Sequence, residues 1–549
     1  MLPAFATTLR VIIAKDIELV EDRHEFELIT RLTDDFTGWV EIANLSPGSR
    51  YYYALAGSGQ ENGLPGFVRS FRTLSAAELF IDEELNPDGL FNFAFEAGSC
   101  NDQSWRTTRQ NMPPTYATMR RKLAGKIDFQ ILNGDFIYEE GRDVTASDWA
   151  DKFGVVEVPA NVRYAQGLTG VWENYRLYLD GDQEMAHFLA EVPFFATLDD
   201  HEILNDVTGS GQSGLRTDAR NKPFQQDIAS RFDFDAEVER AVFRDPALAA
   251  WDDYVGWCNP SDGPRQDIHF GEARVEQGSD ILRDPTADFT LLEPGQTSNL
   301  HVLWGFGNTG VYDIAEIIGP HEIRLAERFS ISENVHYSIG NQRFASFKVS
   351  NAEFFLIDVR SNRTSQEVPE GSERRHSALL GATQMEWLQA GMRESTASFI
   401  FIVSPVNVVL PHDNGVWYGQ GVFGDSKNDG WTSQLEERAQ ILDLAEALEK
   451  PVIFLSADLH RSFMARIAPG VYDVGTGPHS SRVHRLGDAG GSPPSGWYES
   501  GDRLVNIIWS SNQYRNDSDR DDRRPGNDWP IYTVIRVNNA YNVSAIDGS

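Results

Sequence analysis

The chain has 549 residues, 41% of them hydrophobic, with 13 Trp, 17 Tyr and 32 Phe, enough apolar surface for an extensive core and too much for a disordered protein. Its 82 acidic against 48 basic side chains give a net charge of −34, which repels nucleic-acid phosphates and anionic membranes and excludes binding through a broad basic footprint. No run approaches the roughly 20 apolar residues that span a bilayer, the opening MLPAFATTLR is not patterned as a secretory signal, and two cysteines exclude a disulfide scaffold.

Residues 1–75 read as an all-β unit. VIIAKDIELV, HEFELITRL and SRYYYALAG carry β-branched and aromatic residues, separated by turn signals at TDDFTG, SPGS and NGLPG, and a small sandwich is expected. The acidic, turn-rich stretch 76–90 reads as a linker. From Phe91 the pattern becomes α/β, with six apolar runs of strand length: 91–100, 128–135, 193–202, 354–360, 399–405 and 452–460. Near-continuous apolar sequence marks strands buried on both faces, and chemistry in such sheets collects at the carboxyl ends. Helices are expected over TQMEWLQAGMRE and over 432–449. In the latter, Ser433 and Glu436 are spaced as a capping box, and Leu435, Leu442, Ala445 and Leu448 form a stripe. The span from about 206 to 350, rich in Asp, Gly, Arg and aromatics, reads as a long insertion.

The runs end in residues suited to metal chemistry. Gly98-Ser99-Cys100 closes the first. Gly134-Asp135 closes the second, with Tyr138 three residues on, and a phenolate ligand favours a hard trivalent cation such as iron. The third ends in Asp199-Asp200-His201-Glu202 with Asn205 beyond, and four successive ionisable groups after an apolar strand are costly to bury unless cations or partners compensate them. His201 is placed to protonate a leaving alkoxide. Asp358-Val359-Arg360, with Arg363 following, offers guanidinium groups for bidentate phosphate binding. In Asp458-Leu459-His460, strand alternation puts the carboxylate and the imidazole on one face. Each element alone also has an ordinary structural explanation: a turn, a packed thiol, a solvated acidic loop or an Asp–Arg pair.

In combination, the order and spacing of GSC, GDFIYE, DDHE with Asn205, DVRSNR and ADLH resemble the PhoD-like alkaline phosphatases, a branch of the calcineurin-like metallophosphoesterases. The resemblance extends to SPGSRYYYAL and GFVRSFRTL at the start and to KNDGWTSQLEERAQIL, with Asp429 and Trp431 in place. It departs at Ala457, where glycine is common, at Leu198, where tryptophan often stands, and at Asp206, where a second asparagine is frequent.

The resemblance implies an α/β catalytic domain over 91–549, built as a double β-sheet sandwich flanked by helices. An immunoglobulin-like domain over 1–75 and a linker over 76–90 would precede it. Cys100, Asp135, Tyr138 and His460 would surround Fe3+. Asp135 would bridge to a second cation, often Ca2+, held with Asp200 and Asp458, and Asp358 would belong to the same metal shell. His201, Asn205 and Arg360 or Arg363 would contact the phosphoryl group of a phosphate ester. The implied activity is hydrolysis of phosphate monoesters, diesters or both. A phospholipase D-like diesterase and a non-catalytic metal-containing binding protein are the alternatives. Members of the family are often exported.

Overall fold

The computed structural model describes residues 6–57, 68–102, 114–138, 142, 144–165, 167–181, 183–203, 244–261, 266–304, 307–308, 310–362, 379–411, 430–481, 492–511 and 531–539. Asn205, Arg363, Asp429 and nearly all of the PHDNGVWYGQG loop lie outside these residues.

The six apolar runs all form strands, and they divide three and three between two sheets. Phe93–Gly98, Phe129–Asn133 and Phe194–Thr197 lie parallel in a four-stranded sheet, completed by the antiparallel Thr533–Val537. Ala352–Leu356, Phe399–Ser404 and Val452–Ser456 lie parallel in an eight-stranded mixed sheet. Strand alternation sends successive side chains to opposite faces, so each run supplies two cores. Phe129, Ile131, Phe354, Leu356, Phe401 and Val403 share one cluster between the two sheets. There the Phe95 ring meets Phe354 edge-on at 5.3 Å and Phe401 at 5.5 Å. The alternate residues Phe355, Ile400 and Ile402 face the helices Gly381–Glu394 and Leu435–Ala447, while Leu132 and Ala196 face a separate helical core. Burial on both faces is why these runs are near-continuously apolar, and the buried exceptions Glu96 and Gln130 bond each other.

The Leu435–Ala447 helix is capped one residue later than expected. Ser433 belongs to the 3-10 turn Trp431–Ser433, and Gln434 occupies the cap position without a side-chain cap bond. Its buried face includes Ile441, Leu442 and Ala445, but also Glu437 and Arg438. Glu437 accepts from the Leu379 and Leu380 amides, and Arg438 donates to the Val408 and Ser500 carbonyls. The stripe is therefore part apolar and part polar bracket.

At the start of the chain, His24–Arg31, Ala6–Ala14, Arg50–Ala56 and Arg69–Arg72 form one antiparallel four-stranded sheet. Its small core holds Ile12, Ala14, Leu19, Ala54 and Ala56. Where a two-sheet sandwich is expected, the described residues form this single sheet. It is fastened to the rest by buried Asp35, which accepts from Trp149 Nε1 at 2.8 Å and the Tyr254 hydroxyl at 2.5 Å and pairs with Arg176. The stretch expected as a linker is ordered by Asn86, whose amide bonds the carbonyls of Phe80 and Leu90.

The insertion is more regular than its sequence suggests. Residues 269–341 form a four-stranded and a three-stranded sheet around a core of Leu282, Leu300, Val302, Ile323, Tyr337 and Ile339. Before them, the helix Arg244–Tyr254 packs Leu248 and Trp251 into the large helical core beside Trp149 and Trp172.

His301, on the Thr297–Trp304 strand, is fully buried with neither ring nitrogen hydrogen-bonded. Burial, together with the nearby Arg244 charge, lowers its pKa from 6.5 to about 3. Between those values the unfolded chain takes up a proton that the folded ring refuses. The stability it contributes is thus complete above pH 6.5 and is lost as pH falls toward 3. Replacing His301 with Leu should flatten this acid loss. The stability of wild type relative to the variant should fall by about 1.4 kcal/mol per pH unit across that window. Parallel melting-temperature profiles for the two proteins would contradict it.

Candidate metal centre

Four strand ends converge where the two sheets meet. Asn133, the last residue of its strand, joins the sheets beneath the site. Its amide donates to the Ser404 and Leu455 carbonyls at 3.0 and 2.9 Å, and its oxygen accepts from Thr197 Oγ1 at 3.0 Å. Gly98 and Gly134 allow the close approach above it. A Cβ on Gly98 would lie 2.0 Å from His479 Nε2. Gly134 has φ +78°, and a Cβ there would lie 2.7 Å from Asp199 Cβ. Cys100, Asp135, Asp458 and His460 all adopt positive φ, between 49° and 62°. Such backbone costs roughly 1–3 kcal/mol per non-glycine residue, so four instances at one centre mark a site held against local preference.

These turns bring the expected residues together. The Cys100 thiol lies 3.2 Å from Asp135 Oδ2, and the Tyr138 hydroxyl lies 3.3 Å from the same oxygen and 3.1 Å from His460 Nε2. Asp135 belongs to three groups of donors, each with its ligand atoms within 4.8 Å of one another. They are Cys100–Asp135–His460, Asp135–Asp200–His201 and Asp135–Asp199–Asp200–Asp458. The His201 ring stacks on Tyr138 with centroids 3.7 Å apart, and its amide donates to Asp135 Oδ1 at 3.3 Å.

Two expected residues sit differently. Asp358 stands outside all three groups. Its oxygens accept from the amides of Arg343, Arg360 and Ser361 at 2.7–3.0 Å, so the carboxylate closes its own turn. Arg360 is buried and donates through Nε to Asp199 at 2.9 Å, with Nη2 also on that carboxylate. It reaches the cluster through Asp199 rather than as an open phosphate-binding arm.

The surrounding frame was not singled out from sequence. Glu202 accepts from the Asp135 and Asp199 amides at 3.2 and 2.7 Å and from the Phe136 amide, tying two strand ends together. Arg142 donates to the carbonyls of His201, Glu202 and Ile203, fixing the short helix Asp200–Ile203. Ser481 lies 3.1 Å from His460 Nδ1, which orients the imidazole with Nε2 toward Tyr138. His479 bridges Glu96 and Asn101. Asp199 and Glu202 lay within the ionisable run itself. His479 and Ser481, in the small-residue strand end GPHSS, resemble the other candidate turns and could have been found by that likeness.

Electrostatics tests whether cations fit. Burial pushes the Cys100 thiol and the Tyr138 phenol well above their ordinary pKa, and neighbouring Asp135 adds to both. Burial likewise raises Asp135 and Asp199, partly opposed by His201 at the first and Arg360 at the second, while Asp200 reinforces it at each. Asp199 Oδ2 is buried without a hydrogen-bond partner. Three or more carboxylates, a thiol and a phenol in one dry pocket are stable as anions only beside concentrated positive charge. The donors also divide by type. Thiol, phenol, imidazole and carboxylate suit a transition metal, whereas the all-carboxylate group suits a hard divalent ion.

A solved structure described as "Structure of PhoD" superposes on the chain with a TM-score of 0.55 at 15% identity, covering 97% of this chain and 78% of that one, a likeness of fold. A second, GAP50, described as the anchor in the inner membrane complex of Plasmodium, gives a TM-score of 0.29 at 11% identity over 82% of each chain. No curated protein matches the sequence. The family profile described as PhoD-like phosphatase matches residues 93–255 and 332–483, more than half of the chain and every described residue of the cluster, and the protein belongs to that family.

Proposed function

We propose that the chain hydrolyses phosphate esters at a centre of two cations, Fe3+ and Ca2+, with Asp135 shared between them. The observation that carries this reading is the membership of Asp135 in all three donor groups. Cys100, Tyr138 and His460 would hold iron with Asp135, while Asp199, Asp200 and Asp458 would hold calcium. Bound there, the cations would supply Lewis-acid polarisation of the phosphoryl oxygens and a water of lowered pKa. Two sheets packed face to face through Phe95, Phe354 and Phe401 support reading the catalytic domain as a double-sheet metallophosphoesterase sandwich.

The protein's own groups do the rest. Arg360 balances the charge of Asp199 and keeps that carboxylate aimed at the cluster. Asn205 and Arg363 are assigned to the phosphoryl group from the family resemblance alone. His201, stacked on Tyr138, holds a proton for the leaving alkoxide. His201→Ala should therefore lower kcat on an alkyl phosphate by about 100-fold or more, the usual worth of a general acid. An aryl phosphate with electron-withdrawing substituents leaves unprotonated and should lose far less. Equal losses on both would assign His201 to metal or phosphate binding instead.

The direct test of the function is a panel of phosphomonoester, phosphodiester and phospholipid, with elemental analysis of the same sample. Metal-dependent turnover of any ester supports hydrolysis, and its preference distinguishes a phosphatase from a phospholipase D-like diesterase. Metal bound without turnover of any ester would favour a binding protein.

A further inference from the structure

A second feature lies at the opposite end of the catalytic sheet. A cavity of about 220 Å3 opens between the N-terminal sheet and the turns that precede two catalytic strands. Asp128 and Pro193, in its lining, immediately precede Phe129–Asn133 and Phe194–Thr197, whose other ends bear the metal ligands. Five residues of strand separate the two by roughly 17 Å.

Its walls contradict the charge of the molecule. In a chain of net charge −34, the cavity is lined by Arg50, Arg72 and Lys126 against Asp128 and Glu191, and among the described residues none of the three cations is in an ion pair. Arg50 and Arg72 are also direct cross-strand partners. Like charges opposed in this way mildly destabilise a sheet, and a bound anion would relieve the repulsion. Neutral acceptors fix the guanidinium groups without neutralising them. Arg50 Nη1 donates to Ser70 Oγ at 3.1 Å and Arg72 Nε to the Gly48 carbonyl at 3.3 Å.

Of the acids in the lining, Glu191 is paired outside the cavity, and Asp128 offsets part of the charge of Arg72. Glu191 accepts from Arg120 at 3.2 Å. Asp128 accepts from the Ala94 amide at 2.9 Å, and burial raises its pKa against the opposing effect of Arg72. A concave site with three cations against two acids, and a hydroxyl at Ser70, matches a small tetrahedral oxyanion.

We propose that this interdomain cavity is a binding site for inorganic phosphate, separate from the metal centre, which joins the N-terminal sheet to the catalytic domain through a shared anion. The inference stands on the cavity alone and is independent of the reaction proposed above. Equilibrium dialysis of the metal-loaded full chain with inorganic phosphate tests it, comparing wild type with Arg50→Glu/Lys126→Glu. The variant should bind one phosphate fewer per chain, or bind it about tenfold or more weakly, with kcat/KM on a small aryl phosphate unchanged. Should the charge reversals impair folding, Arg50→Gln/Lys126→Gln carries the same comparison. Equal phosphate stoichiometry and affinity in wild type and a folded variant would overturn the proposal. If the metal centre takes no phosphate, both totals drop by one and the difference between them remains.

Discussion

Asp135→Asn is expected to cause the largest loss of function of any single substitution. It weakens both cation positions together, because this carboxylate is the one group common to all three donor sets. Losing Lewis-acid assistance worth several kcal/mol corresponds to a fall in kcat/KM on the order of 1,000-fold. Cys100→Ser and Tyr138→Phe should be more selective, since each touches Asp135 Oδ2 from the thiol and phenol side only. Iron content should drop in both while the second cation stays. Elemental analysis per chain, with the visible absorption expected of an iron–phenolate centre, measures this. Full iron occupancy in both variants would remove the iron assignment. In the same measurement Cys258→Ser should change nothing, because that cysteine lies in the helical core, where its thiol contacts Asn259.

Glu202→Ala is expected to give the largest loss of stability combined with loss of metal, although Glu202 belongs to none of the donor groups. Its fully buried carboxylate accepts three backbone amides, those of Asp135, Phe136 and Asp199. Truncation leaves these donors without acceptors in a dry interior, at about 1–3 kcal/mol each. The two strand ends would then relax toward ordinary backbone, and the positive φ of Asp135 would lose its restraint. Thermal unfolding and metal content should fall together, with excess metal restoring part of each by mass action. A variant that melts lower yet retains full metal would show that Glu202 braces the fold without shaping the centre.

Asp35 offers a contrasting, purely structural case. Its carboxylate gathers Trp149, Arg176 and Tyr254 at the junction with the N-terminal sheet. Asp35→Ala leaves Arg176 with Glu173 as its remaining ion-pair partner. Arg176 is partly exposed and keeps that partner, so the main cost falls on the Trp149 and Tyr254 donors left without their acceptor, about 1–3 kcal/mol each. The melting temperature should fall while kcat/KM of the folded fraction stays near that of wild type.

The sequence by itself determined the strands and their chemistry. The six apolar runs are strands because near-continuous apolar sequence of that length is stable only where both faces are covered, and their polar ends carry the candidate ligands, which are themselves buried and meet one another there. Cys100, Asp135, Tyr138, Asp200, His201, Asp458 and His460 were legible in this way, and the structure brings them into one cluster. The spacing of Asp458 and His460, read as strand alternation, proved to be a turn of positive φ beyond the strand end. Tertiary structure alone decided which strands pair. The division into two sheets depends on contacts hundreds of residues apart, such as Asn133 with Leu455, and local pattern carries no such information. It also decided which acid does what. Asp358 and Asp199 look equivalent after an apolar strand, yet one is spent on backbone amides and the other meets Arg360 at the cluster. Residue type fixes what a side chain can coordinate or donate, while the partners that arrive from distant strands fix whether it does.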